Sequence, residues 1–157
     1  MTTPEYDVSL ELTVEADDLD VAALGVLADR VLAGEDVQPN TGLSILVTGD
    51  DEVREMNLQF LGIDEPTDVL SFPDEAGDFV VGMASEPYLG DIAISLPTAR
   101  KQAAAIGHSL DAEVSHLLVH GILHLRGYDH VDDPEAEARM RSREEHYLGG
   151  ASHVHHQ

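Results

Sequence analysis

From Ser109 to Gly127 the chain carries a segment that has to be a buried helix and yet bears metal-ligand side chains. Ser109 supplies a capping hydroxyl, and Asp111 and Glu113 complement the positive end of the helix dipole. Val114, Leu117, Leu118, Val119, Ile122, Leu123 and Leu125 leave little polar surface, so this is the central helix of the fold. His120 and His124 are four residues apart and project from one face. Gly127 is placed to end the helix in the left-handed conformation. The chain can then turn and bring His130 back toward the other two. Three imidazoles with a fourth position open form the ligand set of a catalytic zinc site; structural zinc takes four ligands and favours thiolates. The chain has no cysteine. A single histidine of this kind is more often an ordinary surface residue. The spacing of all three around a helix-ending glycine is what points to metal. His120, His124 and His130 are the candidate ligands, and His120 is the candidate catalytic residue. One Zn2+ per chain is expected, although nickel or another divalent transition metal also suits imidazole.

The remaining sequence sets the frame around that helix. A length of 157 residues allows one domain with a real core, expected over 1–148. Residues 149–157, with His153, His155 and His156, are expected to form a disordered tail outside the site. Val8 to Val14 alternates as a half-buried strand, and Leu19 to Leu32 repeats at helical spacing. Leu43–Val47 reads as a second strand, and Asp50 or Asp51 as the cap of a helix ending at Leu61 before Gly62. Val69–Phe72 and Asp91–Ile94 read as strands, with an acidic loop over 74–89 between them. Ser95 caps a helix with an early Pro97, and Pro134 opens a last charged helix to about Tyr147. Four strands and five helices in this order describe an α+β domain.

Charge excludes some functions. The net charge is −23. Residues 1–98 hold 2 basic and 22 acidic side chains, whereas 99–157 hold 6 and 9. Broad nucleic-acid binding needs a basic footprint, which the first part lacks. A polyanionic substrate would have to enter through the C-terminal third, aided by metal. No apolar run approaches a membrane span, and the N-terminus lacks the pattern of a signal peptide. A cytoplasmic protein without membrane or disulfide partners is expected.

The pattern His120-x-x-x-His124-x-x-Gly127-x-x-His130 has the ligand spacing of the metzincin proteases. Those enzymes place a glutamate general base after the first histidine. Here that residue is Gly121, which has no proton-handling group. The whole string from His120 to His130, reading His-Gly-Ile-Leu-His-Leu-Arg-Gly-Tyr-Asp-His, resembles the signature of the YbeY family of bacterial rRNA maturation endoribonucleases. Asn57–Phe60 followed by Asp64–Pro73, and Leu89–Ser95, resemble two further blocks of that family. The resemblance implies a small mixed four-stranded sheet on about five helices, similar to the zincins, with zinc on the three histidines. It also implies cleavage of single-stranded rRNA precursors, including processing of the 16S rRNA 3′ end. A ribosome or ribosome-bound protein is the implied partner. A zinc metallopeptidase or other metallohydrolase, and a non-catalytic ribosome-associated zinc protein, are the alternative readings of the same histidines.

One position departs from the family. The aromatic at Phe60 is normally followed by an arginine that engages RNA phosphate, and here it is followed by Leu61. A neutral residue makes no charge-assisted phosphate contact. Arg126 lies roughly 240° round the helix from His120, away from the metal face. Arg54 and Arg100 are the other cations to consider. His116, on the same stripe as His120, is either a supporting residue or a buried hydrogen-bonded one. Asp129 is either an orienting partner for a ligand imidazole or a plain surface aspartate. Asp91, Ser71 and Phe72 read as structural, and Tyr128 as packing or substrate-facing.

Overall fold

Strands and helices alternate in an order that leaves one helix enclosed by the rest. The computed structural model describes residues 6–73, 88–127 and 134–148. In chain order these are β1 (Asp7–Leu12), α1 (Val21–Gly34), β2 (Gly42–Thr48), α2 (Asp50–Leu61), β3 (Val69–Pro73), β4 (Tyr88–Ser95), α3 (Leu96–Ile106), α4 (Leu110–Leu125) and α5 (Pro134–Leu148). The sheet order is β1-β2-β4-β3. β2 pairs in parallel with both β1 and β4, and β3 runs antiparallel to β4. The sheet is therefore mixed, as the family resemblance implies. β2 is interior and reads as a nearly continuous apolar run, whereas the edge strand β1 alternates.

β1 ends at Leu12 rather than Val14 and α1 spans Val21–Gly34 rather than Leu19–Leu32, and two further differences from the sequence expectation have a clear physical cause. β4 begins at Tyr88 rather than Asp91, because Tyr88 and Gly90 already pair with Gly42 and Leu43 of β2. Gly90 has φ +151°, and a Cβ there would meet the Phe72 backbone, so only glycine fits this close approach. Asp50 is not the cap of α2; the cap is Gly49, with no side-chain bond. The Asp50 carboxylate instead accepts from Ser95 Oγ and, at 2.6 Å, from Thr98 Oγ1. It thereby ties α2 to the β4–α3 junction. These hydroxyls hold its pKa below the usual carboxylate value.

α4 packs against β3, β4, α1, α3 and α5. Leu118, Ile122 and Leu123 on α4 are fully buried together with Leu43, Ile45, Ile92 and Ile94 of the sheet. Each such side chain contributes about 1.5–3 kcal/mol, which is why α4 occupies the centre. Gly121 marks its closest approach to the sheet. A Cβ there would lie 3.1 Å from Ile92 Cδ1 and 3.2 Å from Ser71 Oγ. The Ser71 hydroxyl donates to the Gly121 carbonyl at 3.3 Å. Ser71 is thus a strand residue that fastens the sheet to the helix.

Candidate metal centre

The helical spacing does what the sequence requires of it: His120 and His124 stand side by side on α4, ring centroids 5.1 Å apart. His116, one turn earlier, stacks on His120 at 6.2 Å. α4 ends at Leu125, and Gly127 follows at φ +96°, the left-handed turn expected of it. His130, Tyr128 and Asp129 lie outside the described residues, as does the tail from Gly149. Among the described residues no three His, Asp or Glu side chains form a ligand group; the set expected from the sequence needs His130.

A residue that the sequence reading missed supports His120. Glu144 Oε2 lies 2.8 Å from His120 Nδ1. Its carboxylate is only 5% exposed, whereas the His120 ring is 29% exposed. A carboxylate accepts, so Nδ1 donates, which leaves Nε2 as the ring nitrogen that could bind a metal. Metal-bound histidines almost always use their other nitrogen this way. The donor chemistry of His120 and His124, with Glu144 behind His120, therefore fits a divalent transition metal. The signal for Glu144 was present in α5. Its buried positions are Ala136, Met140, Glu144 and Tyr147, one stripe along the helix. A carboxylate on an otherwise apolar stripe has to be paired.

α5 is positioned by a second buried acid. Arg143 Nη2 lies 2.7 Å from Glu35 Oε2, and the Tyr147 hydroxyl donates to the same oxygen at 2.5 Å. Burial and the Glu35 charge push the Tyr147 hydroxyl up to about 12. This network clamps α5 to the end of α1 and so fixes the distance from Glu144 to His120.

The cations considered for phosphate are engaged elsewhere. Arg54 pairs with Asp64 at 2.6 Å, and Arg100 with Asp18 at 2.8 Å. Arg126 donates to the Glu35 carbonyl at 3.2 Å, pointing toward α1 as its helical angle requires. Leu61 is 57% exposed and, with Phe60 and Phe72, lines an open groove between α2 and the sheet. Asp91 also lines this groove and accepts from the Tyr88 hydroxyl; it sits within β4, not at its start.

Comparison with known proteins agrees with this architecture. A family model described as Endoribonuclease YbeY matches residues 11–151. The chain is similar to a protein of that name from Chloroflexus aurantiacus, with 49% identity over 123 residues, covering 77% of this chain and 80% of that one. It is similar to another from Chloroflexus aggregans, with 45% identity over 141 residues, covering 87% and 92%. A solution structure of a Thermotoga maritima protein, 24% identical, has the same fold, with a TM-score of 0.63 over 93% of this chain and 89% of that one.

Proposed function

The chain belongs to the endoribonuclease YbeY family, and from that premise we propose that it is a metal-dependent endoribonuclease cutting single-stranded RNA in ribosomal RNA maturation, including the 16S rRNA 3′ end. The observation that carries the reading is the buried Glu144 carboxylate on His120 Nδ1, with His124 one turn away. His120, His124 and His130 would hold one ion, zinc being the best match to imidazole ligands and an open position. When bound, such an ion polarises a phosphoryl oxygen and brings the pKa of water to about 7.

The residues of the chain do the rest. Glu144 fixes the tautomer and orientation of His120. Gly121 supplies no base and lets α4 close on the sheet. The peptidase reading is not favoured, since position 121 faces Ile92 and Ser71 and the relatives are named as endoribonucleases. The acidic first part and the engaged arginines support weak affinity for isolated RNA, with a ribosome or ribosome-bound protein supplying the remainder. No described helix is long and apolar enough to cross a membrane, and a cytoplasmic setting follows from a ribosomal substrate. The test is a zinc-loaded protein assayed in parallel on single-stranded RNA and on casein. Chelator-sensitive RNA cleavage that is lost in His120→Ala, with casein left intact, is the expected result. Proteolysis, or full nuclease activity in a folded His120→Ala variant, would overturn it.

A further inference from the structure

Beside His120 lies a cavity whose chemistry the backbone of RNA does not match. It is an open cleft bordered by α3, α4 and the start of β3, has a volume of about 370 Å³, and includes both His116 and His120 in its wall. That volume is within the range of small-ligand sites, roughly 300–1,000 Å³. Its polar wall is Asp68, Gln102 and Glu113, and Val69 and Leu117 are among its apolar residues. No lysine or arginine lines it. Glu113 is already engaged by His108 Nε2 at 2.7 Å. Away from the His120 edge a phosphate would meet two carboxylates and no lysine or arginine, so charge disfavours the backbone in this cavity.

His120 belongs to both the cavity and the candidate metal centre, so a nucleotide next to the cleaved bond has to place some group here. The uncharged, planar group of a nucleotide is its base. Unstacked bases are read by stacking on aromatic rings and by hydrogen bonds to their Watson–Crick edges. The His116 and His120 rings, 30° apart, supply the aromatic wall. Asp68 supplies the reading group. Its carboxylate is held in place: Oδ1 accepts from the Val69 amide at 2.8 Å, Oδ2 from Gln102 Nε2 at 3.3 Å, and the Asp68 carbonyl accepts from the Ser95 amide at 2.9 Å. An ionised carboxylate has about four lone-pair sites, so Oδ2 retains acceptor capacity. The Gln102 amide oxygen adds another acceptor. Asp68 and Gln102 thus both bring acceptors to the cavity wall, and a pair of acceptors suits an edge with two adjacent N–H donors. Guanine has that edge in N1–H and its N2 amino group. Adenine and cytosine each set a ring acceptor beside their amino group, and uracil flanks its one N–H with carbonyls.

We infer that this cavity is a base-specificity subsite that takes an unstacked guanine flanking the cleaved bond; the inference rests on the nuclease reading above. Two measurements separate it from that reading. In the first, metal-free full-length protein is titrated with guanosine, adenosine and uridine. Guanosine should shift the Val69 and Leu117 methyl resonances, and the other two should not. Ala105, also in the wall, is exposed on α3, so Ala105→Phe fills the cavity without disturbing the core. Gln102→Ala removes one acceptor. Both variants should weaken the guanosine shifts. In the second, zinc-loaded protein cleaves RNA of randomised sequence. A guanine bias of roughly tenfold at one fixed position beside the cut is expected, falling toward parity in both variants. Cleavage without guanine bias, bias for another base, or a bias indifferent to both variants would overturn the subsite and leave the nuclease reading standing. If folded, zinc-loaded protein cuts no RNA, the nuclease reading fails and this role fails with it; guanosine shifts would then mark only a nucleoside pocket.

Discussion

Glu144→Ala tests the centre without touching a ligand. The substitution removes the carboxylate 2.8 Å from His120 Nδ1. The ring can then rotate and exchange tautomers, so part of the population presents the wrong nitrogen to a metal. Losing such a partner costs about 10–100-fold in metal affinity, or about 1.4–2.7 kcal/mol. Glu144→Gln keeps an acceptor but loses its charge, and a charge-assisted bond is about twice as strong as a neutral one; it should fall at the lower end. The metal-free fold should change little. Removing a buried carboxylate relieves its desolvation, and the His120 ring is 29% exposed, so water can take the vacated position on Nδ1. The assay is competition for zinc against a chromophoric chelator near neutral pH, paired with urea unfolding in excess chelator. Weakened zinc binding with unfolding free energy within about 1 kcal/mol of wild type is the expected pair. Unchanged zinc affinity in a folded Glu144→Ala protein would refute the reasoning. A collapse of metal-free stability would show that Glu144 serves α5 packing instead.

Three further outcomes follow from the geometry. Gly121→Ala gains about 1 kcal/mol of helix propensity but sets a Cβ 3.1 Å from Ile92 Cδ1, at about 1–3 kcal/mol for overpacking; urea unfolding should show a net loss, and a stabilised variant would mean the helix–sheet gap is looser. The Asp50 pKa is held below 3.8 by Ser95 and Thr98, so its contribution is present above the unfolded value and lost as pH falls through the lower folded one. Asp50→Asn should therefore be less stable at neutral pH and show a flatter decline below about pH 4, whereas parallel pH–stability curves would deny the hydroxyls their role. Leu61→Arg should tighten binding of short single-stranded RNA, but at 57% exposure the gain should stay at about 1 kcal/mol or less and vanish at high salt; no gain at low salt would place position 61 away from the substrate.

Local signals reached far in this chain where each was satisfied within its own segment. Ser95 and Ser109 cap α3 and α4 as their positions suggest, since a cap is a bond to an amide three residues on. The apolar run of α4 marked the central helix because no other place in a small fold can take so many buried residues. What escaped was set by partners distant in the chain. Glu144 is 24 residues from His120, and only its place on the buried stripe of α5 sets it apart from Glu145. Asp50 looks like a helix cap by itself, and its hydroxyl partners lie 45 and 48 residues away. The early start of β4 depended on the register of β2, which no residue of β4 encodes.

The ligand spacing shared with metzincin proteases does not carry their chemistry, and packing gives the reason. Residue 121 is about 100° round the helix from His120. In this fold that direction meets Ile92 and the Ser71 hydroxyl at 3.1–3.2 Å from a Cβ. A glutamate there would need its carboxylate buried between helix and sheet, where an unpaired charge is expensive. For it to reach water at the metal, α4 would have to stand off from β4, opening a gap beside Ile92 and Ile94 and losing part of the burial that centres the helix. Glycine at 121 thus goes with the close sheet of this fold, and the histidine spacing alone does not set that distance. The residue between the histidines decides which chemistry the helix can support, because it decides how near the sheet can come.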